Sequence, residues 1–493
     1  MTQVFYSTRP APNGPQPPQR KAPLRWLWPV SIACSTVLLA LAPDGPGTSG
    51  AATLGIFALA VWAWVATKLS DTYVALCACL LLLAVGSLQT NELFLALADP
   101  TIWLLIGAFL VAAGISASGL ANYVGLRMVV RARSVRQLFY LLTLALYLTA
   151  FAIPATSGRA ALALPIFTVL AGVFAAQRRI VVGLSLLVPS VVLLSAVASL
   201  IGAGAHLVTN QLLATAGYAP IDFLFWLLLG TPLALLSSLA ACELILRQQV
   251  PADQRGRLKK DVRAQLLQHA EGRMSPAMYR AGGILLAVVL AWATGPLTGM
   301  DPAVAALGGA ALMNFPGLTG AKLSTSLKGT PLNILMFLAF TLALGTALSN
   351  TGAAGWLIAL LFAPVGLLGA GAPAVTLALI TAISLAAHLL IQSRSARSTV
   401  LIPLVIPLAI EQGVNPVAAA FLSTAAAGFC HTLTSSAKPV ALFSDLPDTP
   451  TFTPADLRRF AIWFAPLMFG LLMIFVWIVW PAFGLHPLMT HQN

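Results

Sequence analysis

Charge is what this chain lacks. Only 8% of its 493 residues are Asp, Glu, Lys or Arg, against ~25% in soluble domains, while 59% are hydrophobic. With a mean hydropathy of +0.89, a water-soluble globular fold is excluded. Acid is scarcer than base: 14 Asp and Glu stand against 27 Lys and Arg. Glu243 and Glu411, the acids inside apolar runs, do not form the acidic cluster that cation pumping requires. The five cysteines (Cys34, Cys77, Cys79, Cys242, Cys430) lie in apolar runs without zinc or disulfide spacing. No metal is expected. Gly-x-x-x-x-Gly-Lys-Ser/Thr, Gly-x-Ser-x-Gly, His-Glu-x-x-His and paired aspartates are also missing. The chain therefore reads as neither an ATPase nor an intramembrane enzyme, and no cofactor is expected.

What the chain does have is a polar knot inside apolar sequence. Ser393-Arg394-Ser395-Ala396-Arg397-Ser398-Thr399 separates the apolar runs 373–391 and 400–410. At ~1.5 Å per helical residue, those flanks place the knot within a ~30 Å hydrocarbon layer. A basic residue there costs ~2.5–3.5 kcal/mol on insertion scales, so it lines a cavity or meets a partner. Irregular backbone at that depth is tolerated only inside protein or beside water.

The knot occurs twice. Ala155-Thr156-Ser157-Gly158-Arg159-Ala160-Ala161, followed by Pro165, overlays Ser393 to Thr399, followed by Pro403, at an offset of 238. Ser157 then matches Ser395, and Arg159 matches Arg397. Upstream, Pro100, Ala108, Phe109 and Gly114 match Pro331, Ala339, Phe340 and Gly345 at 231; downstream, Ala205-His206 matches Ala437-Lys438 at 232. So small a drift over a hundred positions marks a duplicated unit. In a membrane protein, paired interruptions of this kind point to a transporter's midplane site.

Taken in order, 1–25 is a Pro-rich cytoplasmic tail expected to be disordered, and 26–42 a retained first helix. Spans follow near 51–67, 72–89 and 100–118, then a basic interfacial stretch with Arg127, Arg131, Arg133 and Arg136. A hairpin occupies 137–177, a segment broken at Gly202-Ala203-Gly204-Ala205-His206 runs over 181–215, and a span covers 221–246. A basic linker, 247–280, carries a surface helix and joins the halves. The second half has spans at 281–297, 302–317 and 331–350, a hairpin at 373–411, a broken segment at 415–446 and a last span at 460–482. With the tail inside, every Lys and Arg outside the two knots and Lys438 falls on the cytoplasmic side. The +13 net charge is thus a record of topology and does not signal a nucleic-acid partner. The predicted fold is an all-α polytopic membrane protein. It has two inverted repeats, about eleven transmembrane segments and two re-entrant hairpins from opposite faces, with the C-terminal 483–493 tail external.

Two hairpins with small polar tips, each followed by Pro and then by a broken helix, resemble the divalent-anion/sodium symporter family over 51–482. That resemblance implies a homodimer in the cell's inner (plasma) membrane, moving dicarboxylates, citrate or sulfate by an elevator motion. It assigns 26–136 and 281–372 to a scaffold, and 137–246 and 373–482 to the transport domain. The family's tips read Ser-Asn-Thr and its breaks Gly-Thr-Pro-Pro-Asn. Here the tips are Ala155-Thr156-Ser157 and Ser393-Arg394-Ser395, and the second break is Thr434-Ser435-Ser436-Ala437-Lys438. Thr156, Arg394, His206 and Lys438 thus occupy the family's Asn positions, and neither sodium site carries over. Ser349-Asn350-Thr351 ends an ordinary span outside the hairpin.

The expected anion site combines these residues. Arg159, Arg394 and Arg397 offer guanidinium forks that match carboxylate or sulfate oxygens, and Lys438 a point charge. Thr156, Ser157, Ser393, Ser395, Thr434 and Ser435 supply hydroxyls. His206 is the proton-sensitive member, while His388 and His431 read as structural. The expected function is sodium-independent exchange of small divalent anions. Sodium- or proton-coupled symport is the alternative, and cation or proton antiport a more distant one.

Overall fold

The computed structural model describes residues 27–42, 45–67, 69–269, 272–353, 355–356 and 372–489. The 1–25 tail and the end of the 483–493 tail lie outside them. The architecture is all helical. The first half contains α1 (Leu27–Leu41), α2 (Gly47–Ala66), α3 (Asp71–Ala84), α4 (Thr90–Leu97), α5 (Pro100–Ser118), α6 (Leu120–Val129), α7 (Val135–Leu148), α8 (Thr156–Val173), α9 (Arg178–Leu194), α10 (Gly204–Thr215) and α11 (Phe223–Gln249). Surface helix α12 (Lys260–His269) stands in the linker. The second half contains α13 (Pro276–Thr298), α14 (Pro302–Met313), α15 (Leu323–Gly329), α16 (Leu332–Asn350), α17 (Ala372–Ala386), α18 (Arg394–Glu411), α19 (Pro416–Ala426), α20 (Lys438–Ser444) and α21 (Pro454–Ile474).

Local chemistry sets the helix starts. The side chains of Ser70, Asp99, Ser134, Asp222, Ser275, Asp301 and Asn415 each accept from a backbone N–H of the following helix. Such caps satisfy donors that have no partner inside the helix. Pro at the first turn of α5, α13, α14 and α19 adds a fixed φ where no N–H is needed.

Nine helices among the described residues are long and apolar enough to cross a bilayer. Two of them, Thr156–Val173 and Ala372–Leu389, are hairpin arms, which leaves seven of the eleven expected crossings. The segments at 26–42, 72–89, 302–317 and 415–446 contain shorter apolar helices, Trp28–Leu41, Asp71–Ala84, Pro302–Met313 and Pro416–Ala426. A full crossing takes ~20 helical residues. The 415–446 segment supplies the rest of its length from the break, its 3-10 turn Thr434–Ser436 and α20.

The two halves match in detail. The 3-10 turns Thr149–Phe151 and Ala387–Leu389 precede the two tips. Helices α8 and α18 are each 18 residues long and start 238 positions apart. At the breaks, Ala203 (φ −156°, ψ 148°) and Ala437 (φ −158°, ψ 145°) have the same extended backbone before α10 and α20. This pairing sets Gly204 against Lys438. The sequence pairing of His206 with Lys438 is therefore two residues out of register, because the path from the end of α19 to α20, 427–437, is two residues longer than that from the end of α9 to α10, 195–203.

The apolar interior falls into three clusters. The largest gathers both hairpins, α9, α10, α11, α19 and α21, with parts of α5 and α14. A second joins α2, α3, α4 and α16, and a few residues of the second hairpin (Ile391, Ala396, Val400) pack on it. A third, smaller one holds α5, α6, α13 and α14. The linker docks on the first hairpin's base: Val135 N–H donates to Gly256, and Leu258 N–H to Arg133, at 3.1 and 3.0 Å. Glu243 anchors the same region, accepting from Arg136, Tyr140 and Arg247 at 3.1, 2.7 and 2.7 Å.

Candidate functional site

The two hairpin tips and the two breaks enclose a cavity of about 450 Å³. Its walls include the starts of four helices: Ala155 to Ser157, Ala203 to Ala205, Ser393 to Ser395, and Ala437 to Pro439. Helix starts carry unpaired N–H groups and the positive end of the dipole. Three of the four, those led by Ala155, Ala203 and Ala437, have no side-chain cap. Only Ser393 caps its own helix, accepting from Ala396 N–H at 3.3 Å. The cavity thus gathers three uncapped helix starts and one capped by Ser393.

Of the predicted site residues, Thr156, Ser157, Ser393, Arg394, Ser395, Ser435 and Lys438 line the cavity. Lys438 is exposed, and Arg394 is half-buried. Arg394 Nη2 donates to Thr156 Oγ1 at 2.7 Å, joining one tip to the other. Across the halves, Gly204 abuts Ser395: a Cβ at Gly204 would stand 2.9 Å from Ser395 Oγ. The missing side chain at Gly204 leaves room for that approach.

Arg159, Arg397, His206 and Thr434 are placed elsewhere. Arg159, 1% exposed, stands behind the first tip with its donors engaged. Nε reaches Thr149 Oγ1 at 2.9 Å, Nη1 the Val192 carbonyl at 3.0 Å, and Nη2 the Leu146 carbonyl and Ser195 Oγ at 2.8 and 2.6 Å. Arg397 is 0% exposed and donates from Nη2 to Cys430 Sγ at 2.8 Å. Its Nε and Nη1 meet no protein acceptor among the described residues. His206 turns from the cavity, with Nδ1 3.0 Å from the Ser199 carbonyl and its ring 5.0 Å from that of Trp226. It ties off a backbone group freed by the first break. Thr434 starts the 3-10 turn that carries Ser435 but does not reach the cavity wall. His388 is structural in the same manner as His206, bridging the Leu385 carbonyl and Thr432 Oγ1 at 2.6 and 2.7 Å.

Sequence reasoning missed Asp71, Thr72, Asn333 and Gln392, which also line the cavity. Asp71 sits in the first turn of α3, where an acid reads simply as a dipole partner. Nothing in its neighbourhood along the chain marks it as part of a site. A second cavity, about 540 Å³, lies along the other side of the first hairpin between α5 and α15, and shares Phe109, Ala155 and Ser157 with the first. No cluster of His, Cys, Asp and Glu among the described residues is suited to a metal.

Comparison with known proteins bears on the whole chain. A family model described as the sodium:sulfate symporter transmembrane region matches residues 21–485. The solved Alcanivorax borkumensis YdaH transporter, described as having an unusual topology, is similar in fold with a TM-score of 0.52. The likeness covers 94% of this chain and 99% of that one at 16% identity. No curated protein matches.

Proposed function

The chain belongs to the sodium:sulfate symporter family, and from that premise we propose that this secondary anion transporter exchanges small divalent anions without sodium. The observation that carries the reading is the cavity itself. Two cations, Lys438 and Arg394, share it with uncapped helix starts and with the hydroxyls of Thr156, Ser157, Ser393, Ser395 and Ser435. Helix N-termini and basic side chains acting together suit carboxylate or sulfate oxygens. Arg159 acts from behind, holding the first tip in position through four hydrogen bonds, while Arg397 stands buried behind the second tip on a single bond to Cys430.

Sodium independence rests on the tips. Where the family resemblance puts an asparagine for sodium, this chain has a guanidinium bonded to Thr156, and a cation beside it would be repelled. The fixed charges also bear on the return of the empty carrier. Moving Lys438 and Arg394 unpaired through the low-dielectric layer costs about 2.5–3.5 kcal/mol per exposed basic residue, so return with a bound anion is favoured. A proton-coupled cycle gains no support from His206, which faces Trp226. The family resemblance supports a homodimer in the inner membrane with a cytoplasmic N-terminus, working by an elevator motion of both hairpins with their breaks.

Vesicles reconstituted with the full chain test this. Uptake of labelled sulfate or succinate should require internal anion and be indifferent to a sodium gradient. Strong sodium-driven accumulation into vesicles free of internal anion would replace exchange with symport.

A further inference from the structure

Among the residues lining the cavity, Asp71 is the only acid, facing the only two basic residues, Lys438 and Arg394. Asp71 lines the same cavity as Ser393 and Lys438; burial raises the pKa of its carboxyl, opposed by the Ser393 hydroxyl and the charge of Lys438. Asp71 and Lys438 are not in direct contact: the ion pairs closer than 4.0 Å among the described residues both involve Glu243. Both depart from the internal symmetry. Lys438 stands where the first half has Gly204, and Asp71 opens α3, whose counterpart α14 opens with Pro302. The two also belong to different parts of the interior. Val74 and Ala75 of α3 pack in the cluster with α2 and α16, whereas Val440 and Phe443 of α20 pack in the large cluster with both hairpins.

We infer that Asp71 is a tethered counter-ion for the anion site: its carboxylate offsets the charge of Lys438 across the cavity when no anion is bound, and the arriving dianion takes over that role. This rests on the anion reading above and adds a competitor to it. A carboxylate fixed to the protein has the chemistry of half a dicarboxylate, so it can satisfy the same donors. It also repels a dianion, so the affinity of this conformation is set by a contest between them. Because the two residues sit in separately packed clusters, their interaction holds the empty carrier in this conformation. That opposes a return without cargo.

The test is a double-mutant cycle on the purified full-length protein, titrated with sulfate and with succinate by calorimetry. Asp71→Asn should bind both about tenfold more tightly, Asp71→Glu should stay near wild type, and the gain should vanish in a Lys438→Gln background. Affinity that is unchanged or lower in Asp71→Asn, or a gain equally large without the lysine, overturns the proposal. Thermal unfolding without any anion reads the Asp71–Lys438 interaction directly. There the two single substitutions should each lower the midpoint, and the double variant should fall less than their sum. If wild type binds neither probe, the anion reading fails by itself, and strict additivity in that second measurement overturns Asp71's role.

Discussion

The two hairpins share length, spacing and the 3-10 turn before the tip, yet they hold their arginines differently. Arg159 is saturated by two carbonyls and two hydroxyls. Arg397 has one sulfur acceptor and two donors without a protein partner among the described residues. The difference follows from the lining. Thr149, which accepts from Arg159, lies in the turn matched by Ala387, which has no hydroxyl. Where Arg159 takes the Val192 carbonyl thirty-three residues on, Arg397 takes the Cys430 thiol at the same separation. Duplication kept the residue and changed its surroundings. A repeated arginine is therefore no evidence of a repeated role.

The largest effect that would break this comparison concerns Arg159. Arg159→Gln removes most of four hydrogen bonds made by a buried charged group, a kind worth about 1.5–3 kcal/mol each. The protein should unfold at markedly lower temperature and be recovered poorly from membranes. Arg397→Gln removes one weak bond and should be recovered near normally. Equal thermal midpoints for the two variants would erase the distinction.

Next in size is the contrast between Lys438 and its counterpart Gly204. Lys438→Gln should weaken anion binding by about 30-fold or more, in line with the ~2–5 kcal/mol lost when one partner of a charge pair is truncated. Its thermal midpoint should fall only slightly, by the loss of the interaction with Asp71, since the side chain is exposed. Gly204→Ala forces its methyl against Ser395 and should lower stability by about 1 kcal/mol through overpacking. Equilibrium binding and thermal unfolding on the same samples separate the two.

A smaller effect is expected where the tips meet. Arg394→Gln and Thr156→Val, alone and combined, should show a coupling of about 1.5–3 kcal/mol, the range for a hydrogen bond to a charged group. Additive behaviour would mean that the tips do not hold each other.

The smallest effect distinguishes the tips by backbone. Ala155 has φ +66°, whereas Ser393 has φ −73°. A left-handed alanine costs about 1–2 kcal/mol relative to a right-handed one, and glycine escapes it. Ala155→Gly should raise the thermal midpoint slightly, while Ser393→Gly, which also loses a cap, should lower it.

Much of the fold was legible because it depends on local signals. Long apolar runs, caps such as Ser134 and Asp222, and interruptions 238 residues apart announce helices, hairpins and breaks without reference to distant contacts. The cavity's polar wall was legible for the same reason, since Ser393, Arg394 and Ser395 form one contiguous tip. What escaped depends on direction. Whether a guanidinium at position 159 enters the cavity or turns behind it depends on carbonyls 13 and 33 residues away, and no spacing rule encodes that. The His206 register failed because the second break is two residues longer than the first. Asp71 was hidden because an acid at a helix start already has a sufficient local explanation.

One contact has a meaning beyond its strength. Arg394 and Thr156 are each other's mates at the 238-residue offset, and they touch. A residue that meets its own mate lies on the axis relating the two halves. Were the halves separate identical subunits, that place would hold two arginines in repulsion or two threonines with no cation. Only halves free to differ in sequence, as they are within one chain, can place a donor on one side of the axis and an acceptor on the other. The tip-to-tip bond is thus an arrangement closed to a symmetric dimer, and it lies where the two halves of this carrier ceased to be interchangeable.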